Sequence, residues 1–427
     1  MKALKNLFIV VSLILFLASC KISKRDESDQ IAEDVKNLKT LPYAAAVNVE
    51  DSFEDGVNLY KKDKVFAGYN LFCLRNTAYA CLYDLSGKCL KRWQVEDKNS
   101  LDWQYVDLDA DGNLFFLEKP MDTASRDGRQ PLLNALGKLD RESSLLWYVK
   151  GRFHHDFIFI PEGRVITFSR KERLVQWRGE EVPILDDKIL ILDSATGKTL
   201  KEFSVYDLLG NDYITDKQIK RIKRRSDFNK IVAALKAKSQ DILIINDTAG
   251  DVFHINSILR IDRKIDGFAE AGDFLISVRE PNLVAVLKGD FSGLRWEVRD
   301  EFKKQHQPSL LENDNILVFD NKWKDGFSRV VEFDVHSKKV VWQYAADKPN
   351  VFFSGTRGGA QNLPNGNVFV ANSNQGQLFE VTREGELVWR YLSPTWQKGR
   401  RKMRIAIYRA RRFSKGEVKS LFPELEL

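Results

Sequence analysis

The stretch VVEFDVHSKKVVW (residues 330–342) decides the fold, because it predicts one hairpin of two short strands. An apolar run reaches Asp334, a polar turn follows, and a second apolar run ends at Trp342. Repeats of roughly 20–50 residues form stacked or radial arrays, since one unit cannot bury its apolar face alone. Five further stretches share this template of an apolar run, Asp or Thr, polar residues and a final Trp or Phe: Leu82–Trp93, Leu136–Trp147, Ile189–Phe203, Val284–Trp296 and Leu378–Trp389.

Each hairpin is preceded by a second recurring pattern, a polar turn followed by an apolar strand. Pro161-Glu162-Gly163 precedes Val165–Phe168 in this way, and a third apolar strand, Phe157–Ile160, lies upstream of that turn. Each repeat therefore contains four short antiparallel strands, which is the composition of a propeller blade. Six repeats predict an all-β, six-bladed β-propeller, and 43% apolar residues are ample for its core.

The ends of the repeat predict how the ring closes. Blade one begins at Tyr69–Leu74 without a first strand of its own, and Met403–Ala410 is a strand-like run near the C-terminus. We expect this C-terminal strand to complete blade one, since closure removes exposed sheet edges. The propeller is expected over residues 42–413, with a C-terminal tail at 414–427.

One segment breaks the strand pattern. Residues 206–239 are rich in Lys, Arg, Leu and Ile, and Ile219, Ile222, Ile231 and Leu235 recur at helical spacing. This spacing predicts a basic helical insertion between blades three and four. A solvated helix surface accounts for its charge.

The N-terminus predicts export. Lys2 and Lys5 precede the apolar run Leu7–Leu17, which is too short to span a bilayer comfortably. The ending Leu17-Ala18-Ser19-Cys20 resembles a bacterial lipobox, in which Cys20 is acylated and becomes the new N-terminus. We expect a lipoprotein signal peptide at 1–20, a charged flexible tether at 21–41, and a protein anchored to a bacterial membrane surface, periplasm-facing or outer.

Composition and motifs exclude several function classes. Basic and acidic residues are mixed along most of the chain, so the net charge of +7 does not indicate a nucleic-acid partner. The chain has no Cys-x-x-Cys or His-x-x-x-His pair and no Gly-rich phosphate loop, so we predict no metal and no cofactor. Cys73 and Cys81 are candidates for a cross-hairpin disulfide that spacing alone does not settle.

The rare histidines share one position in the repeat. His155 and His306 each lie eight residues before the first turn of a blade, as does Gln104, and Arg357 lies nine before its turn. His254 lies 18 before its turn because Arg260–Ala271 lengthens that loop. All five residues are therefore expected where the innermost strand of a blade begins, at one mouth of the axis.

The strand that follows runs back toward the same mouth, which brings Arg279 into reach after Phe274–Val278. With Asn256, these side chains predict a concave polar site with the donors needed to hold an oxyanion. His336 lies in an outer hairpin turn, where we expect it to be exposed.

Several phrases around these residues resemble the bacterial arylsulfate sulfotransferases that need no nucleotide sulfate donor. The matching motifs cover about residues 56–412. They are Gly56–Tyr60, Ala67–Phe72, His154-His155-Asp156, Phe253-His254-Ile255-Asn256-Ser257-Ile258, Ser277-Val278-Arg279, Gln305-His306, 357–367 (RGGAQNLPNGN) and Ile407-Tyr408-Arg409-Ala410. The resemblance implies that His306 takes the sulfuryl group and that His155, His254, Asn256 and Arg279 surround it. The family motif contains two adjacent histidines, so the resemblance leaves open which of His154 and His155 lies in the site. We choose His155 because its distance in sequence from the following turn equals that of His306.

The predicted function is transfer of a sulfuryl group from an aryl sulfate to a phenol through a sulfohistidine. His155 or His254 is expected as acid and base, Arg279 as the oxygen clamp, and Asn256, Arg357, His154 and Gln104 as substrate-binding or supporting groups. Two alternatives remain open. One is a lipid-anchored propeller without catalysis that binds a sulfated or phenolic ligand, or a protein, at its axial mouth. The other is a zinc or copper site, which the adjacent arginines disfavour.

Overall fold

A computed structural model describes residues 46–49, 53–95, 102–119, 134–238, 250–322, 325, 327–345, 352–398 and 400–427, which belong to one compact unit, Tyr43–Leu427. The expected signal peptide, the tether and Cys20 lie outside the described residues. No helix within the described ranges is long and apolar enough to cross a bilayer.

The described strands form six antiparallel blades of a propeller, as the repeat predicts. In sheet order from the axis outward, blade one contains Ile407–Ser414, Gly68–Leu74, Tyr79–Tyr83 and Cys89–Gln94; blade two contains Trp103–Leu108, Leu114–Glu118, Asn134–Leu139 and Leu145–Gly151; blade three contains His154–Ile160, Arg164–Trp177, Glu180–Asp193 and Thr199–Ser204. Blade four contains Ile255–Arg260, Phe274–Val278, Leu283–Leu287 and Leu294–Arg299; blade five contains His306–Leu310, Ile316–Asp320, Arg329–Asp334 and Lys339–Ala345; blade six contains Gly359–Asn362, Val368–Asn372, Gln377–Val381, Leu387–Leu392 and Gly56–Tyr60.

The ring is closed by a C-terminal strand, which confirms the prediction with a shifted boundary. Ile407–Ser414 pairs antiparallel with Gly68–Leu74, and the inner strands of neighbouring blades touch all around the ring. The expected strand Met403–Ala410 is in fact divided between two sheets. Its first part belongs to Arg401–Ile405, which pairs with Ala46–Val49 and Thr395–Lys398 in a separate three-stranded sheet.

The hydrophobic core lies between successive blades. Ile166 and Phe168 of blade three pack with Ile276 and Val278 of blade four. Each blade buries its faces against two neighbours, and this sheet-on-sheet packing fixes the direction of every inner strand.

The predicted insertion between blades three and four is helical. It contains α1 (Val205–Leu209), a short 3₁₀ turn at Asn211–Tyr213, α2 (Asp216–Lys223) and α3 (Phe228–Lys236). Thr215 and Gln218 form a capping box at the start of α2. Ile219, Ile222 and Ile231 are buried, so the apolar face predicted from their spacing packs on the propeller.

Blade three contains a long hairpin that the repeat does not predict. Arg164–Trp177 and Glu180–Asp193 are 14 residues each, more than twice the usual blade strand. Arg178 and Gly179 connect them with φ of 50° and 84°, as a two-residue type I′ turn requires. The extension leaves the blade at the end where His154 begins the inner strand, since His154 pairs with Phe168.

The segment expected as a tail, residues 414–427, is folded onto blade one. Helix α4 (Lys415–Leu421) begins with a capping box formed by Ser414 and Glu417. Val418 and Phe422 are buried, and the Phe422 ring lies 5.6 Å from that of Trp93.

Cys73, Cys81 and Cys89 are free thiols. Cys73 pairs across the strands with Ala80, whereas Cys81 pairs with Phe72. Side chains that face each other share one side of a sheet, so Cys73 and Cys81 point to opposite sides and do not meet.

Candidate functional site

The chain places the predicted residues at equivalent starts of inner strands. His306 begins its strand, Gln104 and His155 are second in theirs, His254 directly precedes Ile255–Arg260, and Arg357 lies two residues before Gly359. Arg279 follows the second strand of blade four, and its backbone N–H donates to the His254 carbonyl at 3.0 Å. His336 is exposed in the outer turn of blade five, as expected.

The inner strands carry β-bulges where these residues occur. The pairing register shifts between His154 and Phe157, between Ile255 and Ser257, and between His306 and Ser309. His155, His254 and Arg357 adopt positive φ of 66°, 59° and 64°. Such conformations cost of order 1 kcal/mol or more each and cluster at functional sites, where a bulge redirects a side chain.

His306 has a ring tautomer set by its partners. Its Nδ1 lies 2.7 Å from Asn321 Oδ1 and 3.1 Å from the Lys304 carbonyl, and both of these oxygens are acceptors. Nδ1 therefore carries the proton and donates it, and the lone pair is on Nε2. The Asn321 amide cannot flip without loss, because its Nδ2 donates to the carbonyls of Ser354 and Arg357 at 2.7 and 2.6 Å.

His306 is also held neutral. Burial, followed by the positive charge of Arg279, holds the pKa of its imidazole well below the ordinary value, and this outweighs the hydrogen bond to Asn321. A neutral imidazole with Nδ1–H directed to an amide oxygen presents Nε2 as a nucleophile at neutral pH.

Three other histidines form a hydrogen-bonded chain that ends on a carboxylate at both sides. His154 Nε2 lies 3.2 Å from Asp187 Oδ1, and its Nδ1 lies 2.7 Å from His155 Nδ1. His155 Nε2 lies 2.9 Å from His254 Nε2, and His254 Nδ1 contacts Asp251 Oδ2.

Counting protons shows the charge of this chain. Both carboxylates are ionised: burial would raise the pKa values of Asp187 and Asp251, but Arg170 and the neighbouring histidines hold them below the ordinary value. Each of the four hydrogen bonds then needs one proton from a ring nitrogen. Three neutral imidazoles carry only three, so the intact chain holds one extra proton.

The extra proton belongs at the Asp251 end of the chain. His154 Nε2 donates, since Asp187 and the Ser169 carbonyl are both acceptors there, so His155 must donate to His154 and His254 to His155. The fourth proton is then the one between His254 Nδ1 and Asp251 Oδ2. Burial lowers the pKa values of His154 and His155, which favours their neutral forms. Arg170 bridges Asp187 and Asp251, and its Nη2 lies 3.3 Å from His254 Nδ1.

Asn256 and Arg279 have defined partners beside the histidines. Asn256 is fully buried, and its Nδ2 donates at 2.8 Å to the carbonyl of Gln305, the residue before His306. Arg279 is partly exposed and pairs with Glu280, which also binds Lys304 at 3.0 Å. Gln104 is partly exposed at its strand start, and in the described part of the chain its side chain makes no hydrogen bond to the histidines.

Sequence reasoning missed several groups of the site: Arg170, Asp187, Asp251, Asn321, Tyr408 and Arg409. Asn321 follows the second strand of blade five just as Arg279 follows that of blade four, so the same register argument would have found it. Asp251 lies three residues before His254 and had no repeat to mark it.

A metal centre has no ligand set among the described residues, where no group of three or more His, Cys, Asp or Glu side chains is arranged to hold an ion. The histidine contacts are instead ring nitrogen to ring nitrogen, with Arg170 beside them. This arrangement suits proton transfer and anion binding.

Comparison with known proteins identifies the family. The chain has no significant match among curated proteins. It resembles a protein of unknown function from Bacteroides caccae, with 12% identity over 76% of this chain and 93% of that one and a TM-score of 0.43. It also resembles the periplasmic gluconolactonase of Pseudomonas aeruginosa, with 13% identity over 86% of this chain and 90% of that one and a TM-score of 0.40. These identities and TM-scores are too low to indicate function. The family model described as arylsulfotransferase (ASST) matches residues 136–393, which is most of the chain and includes all five of its histidines. The chain therefore belongs to the arylsulfotransferase (ASST) family.

Proposed function

We propose that the protein transfers a sulfuryl group between phenolic oxygens, with His306 as the covalent carrier. The observation that supports this most is the state of His306, whose Nδ1 is committed to Asn321 and whose Nε2 is an unprotonated lone pair. Family membership supports small aryl substrates.

In the first step, Nε2 attacks the sulfur of an aryl sulfate in line as the sulfur–oxygen bond to the ring breaks. The Nε2–S bond forms, and the phenolate takes a proton from the His155–His254 pair, which holds the extra proton of the chain. General acid catalysis of this kind contributes typically ~10²–10⁴-fold in rate.

The adduct keeps its Nδ1 proton, because Asn321 offers an amide oxygen and not a base. The sulfated ring is therefore cationic, which weakens the Nε2–S bond toward the next nucleophile. In the second step a phenol oxygen attacks sulfur, its proton returns to the His155–His254 pair, and His306 is released. Arg279 neutralises the sulfuryl oxygens in both steps.

The test is covalent labelling with 4-nitrophenyl sulfate. The wild type should release 4-nitrophenol and gain the mass of one sulfuryl group on the peptide that contains His306. His306→Ala should lose both signals, and His336→Ala, the same change at an exposed histidine, should keep both. Undiminished turnover by His306→Ala, or a label on another residue, contradicts the assignment. Ligand binding without release or label by the wild type supports the non-catalytic alternative.

We also propose that Cys20 carries the lipid that anchors the protein to the membrane surface, on the basis of the lipobox-like sequence. Cys20→Ser should move the protein from the membrane fraction to the soluble fraction and abolish incorporation of a fatty-acid label. Retention of the label in this variant refutes the attachment site.

A further inference from the structure

Three arginines from two neighbouring blades surround Tyr408 at the same mouth. Arg75 follows the second strand of blade one, Tyr408 and Arg409 begin its innermost strand, and Arg357 precedes blade six. The Cζ atoms of Arg357 and Arg409 lie 6.0 and 5.8 Å from the centroid of the Tyr408 ring. Arg75 interacts electrostatically with both Tyr408 and Arg357.

The carboxylates near this cluster are already engaged. Asp102 pairs with Arg75 through both oxygens and accepts from the Asn76 backbone at 2.7 Å. Asp156 pairs with Arg409 at 2.7 Å and accepts from the backbone N–H groups of Phe157 and Ile258. Within the described residues, no carboxylate pairs with Arg357, so the cluster of three guanidiniums has two counterions.

Buried donors in the cluster also lack acceptors. Arg75, Tyr408 and Arg409 are each 4% exposed. In the described structure, Arg75 Nη1, Arg409 Nε and Nη2 and the Tyr408 hydroxyl have no hydrogen-bond partner. A buried donor without an acceptor is costly, and most buried polar groups are paired. Four unpaired donors around a cation without a carboxylate partner are suited to binding an anionic group.

Arg357 is the member of the cluster open to a ligand, since this residue is partly exposed whereas the other three are buried. Burial, followed by the positive charge of Arg75, lowers the pKa of Arg357 to about 9, which still leaves it charged at neutral pH. An uncompensated guanidinium in a partly desolvated recess attracts a counterion strongly.

The cluster adjoins the reaction centre. The Arg357 carbonyl accepts from the same Asn321 amide that fixes His306, and the Tyr408 ring lies 6.4 Å from that of His155. The charge of Arg409 also acts on His306. The sulfuryl group itself has its clamp at Arg279, so these arginines are available for another group of the substrate.

We propose that Arg357, with Arg75, Arg409 and Tyr408, forms a second anion subsite that binds a negatively charged substituent of an aryl substrate whose phenolic oxygen reacts at His306. The proposal rests on the proposed function for the position of the reacting oxygen. It commits the enzyme to aryl substrates that carry a second anionic group, such as a carboxylate.

The experiment compares two phenols that differ in one charge. We would use 4-hydroxyphenylacetate and 4-hydroxyphenylacetamide as acceptors, because the methylene separates the charge from the ring and keeps the acidity of the phenol similar. The ratio of kcat/KM for the acid over the amide, with 4-nitrophenyl sulfate as donor, should be about tenfold or more in the wild type. Arg357→Gln should bring this ratio close to one, whereas Arg357→Lys should keep part of it.

The matched control is Arg178→Gln, a change at an exposed arginine in the two-residue turn of the long blade-three hairpin, which should keep the wild-type ratio. A ratio near one in the wild type, or a wild-type ratio in Arg357→Gln, overturns the subsite.

Calorimetric binding of the same two phenols separates this inference from the proposed function. If the wild type transfers nothing but binds the acid about tenfold more tightly, with Arg357→Gln removing that preference, the subsite stands and the proposed function fails. Equal affinities refute the subsite whatever the transfer assay shows. If Arg357→Gln does not fold, the subsite is tested by the acid-over-amide preference of the wild type and by its reduction in Arg357→Lys; no preference in the wild type, or an undiminished one in Arg357→Lys, overturns the subsite.

Discussion

Asn321→Asp tests whether a neutral carboxamide is what keeps His306 ready to react. The substitution keeps an oxygen facing His306 Nδ1 but replaces a neutral partner at 2.7 Å with a carboxylate. A negative charge at that distance stabilises the imidazolium and raises a pKa by about 1–3 units. In the wild type, burial and Arg279 hold the pKa of His306 well below its ordinary value.

The sign of the effect follows from which form reacts. Sulfuryl transfer needs neutral His306, so activity is complete above the pKa of the folded protein and is lost as the pH falls through it. Raising this pKa moves the acid limb of the rate profile to higher pH. For a shift of one unit, the variant should be about tenfold slower than the wild type below both pKa values, and the two should converge toward high pH.

The assay is single-turnover release of 4-nitrophenol with enzyme in excess, sampled at each pH and read after an alkaline quench. Asn58→Asp is the matched control, since Asn58 lies on the outermost strand of blade six and accepts from Arg390 at 2.6 Å. An acid limb in Asn321→Asp that coincides with the wild type, or a wild-type limb at or above the ordinary histidine pKa of about 6.5, refutes the reasoning.

The Asp variant also loses the amide donors to the carbonyls of Ser354 and Arg357. Ser328 continues to donate to the Ser354 carbonyl at 3.3 Å, so only the partly buried Arg357 carbonyl is left without its donor, at a cost of about 1–3 kcal/mol. Chemical denaturation at pH 8 should show a loss of this size, and kinetics are measured where the variant is folded.

Three further outcomes are expected. Asp251→Asn removes the carboxylate that holds the extra proton on the histidine chain, so kcat should fall about 10²-fold for donors with poor leaving groups and less for 4-nitrophenyl sulfate; equal losses for both donors would exclude a proton-donor role. Glu380→Gln leaves Arg412 as a buried, unpaired cation and should lower the free energy of unfolding by about 3–5 kcal/mol in urea, while an unchanged midpoint would mean that the pair is dispensable. Asn256→Ala removes the donor to the Gln305 carbonyl and should lower kcat more than it raises KM; a change in KM alone would assign Asn256 to substrate binding.

Most of the fold can be predicted from the sequence because the same strand pattern recurs in every repeat. Each hairpin ends at an aromatic residue, such as Trp93 or Trp147, and corresponds to one blade. Six hairpins therefore predict a six-bladed ring. The same repetition gives His155, His254 and His306 a common position at the starts of inner strands. Periodic patterns are the most dependable signal in a sequence, since many residues agree on one period.

Groups outside the repeat had no such signal. Arg170 and Asp187 reach the site on the extended hairpin of blade three, whose alternating residues merge with the blade strands on either side. Tyr408 and Arg409 depend on where the closing strand begins, and that boundary is set by pairing of Arg401–Ile405 with a separate sheet. Pairing between strands that are distant in sequence depends on tertiary contacts, and local spacing does not predict it.

The closing strand makes the geometry of the site depend on a segment that lies far from its histidines in the sequence. Residues 407–427 supply Tyr408 to the anion cluster and Arg409 to Asp156, and they cover the inner edge of Gly68–Leu74. A product terminated at residue 406 has every histidine of the site but an open ring and an unpaired Asp156. Deletion of residues 407–427 is therefore expected to disrupt the site by opening the ring, although it removes no imidazole.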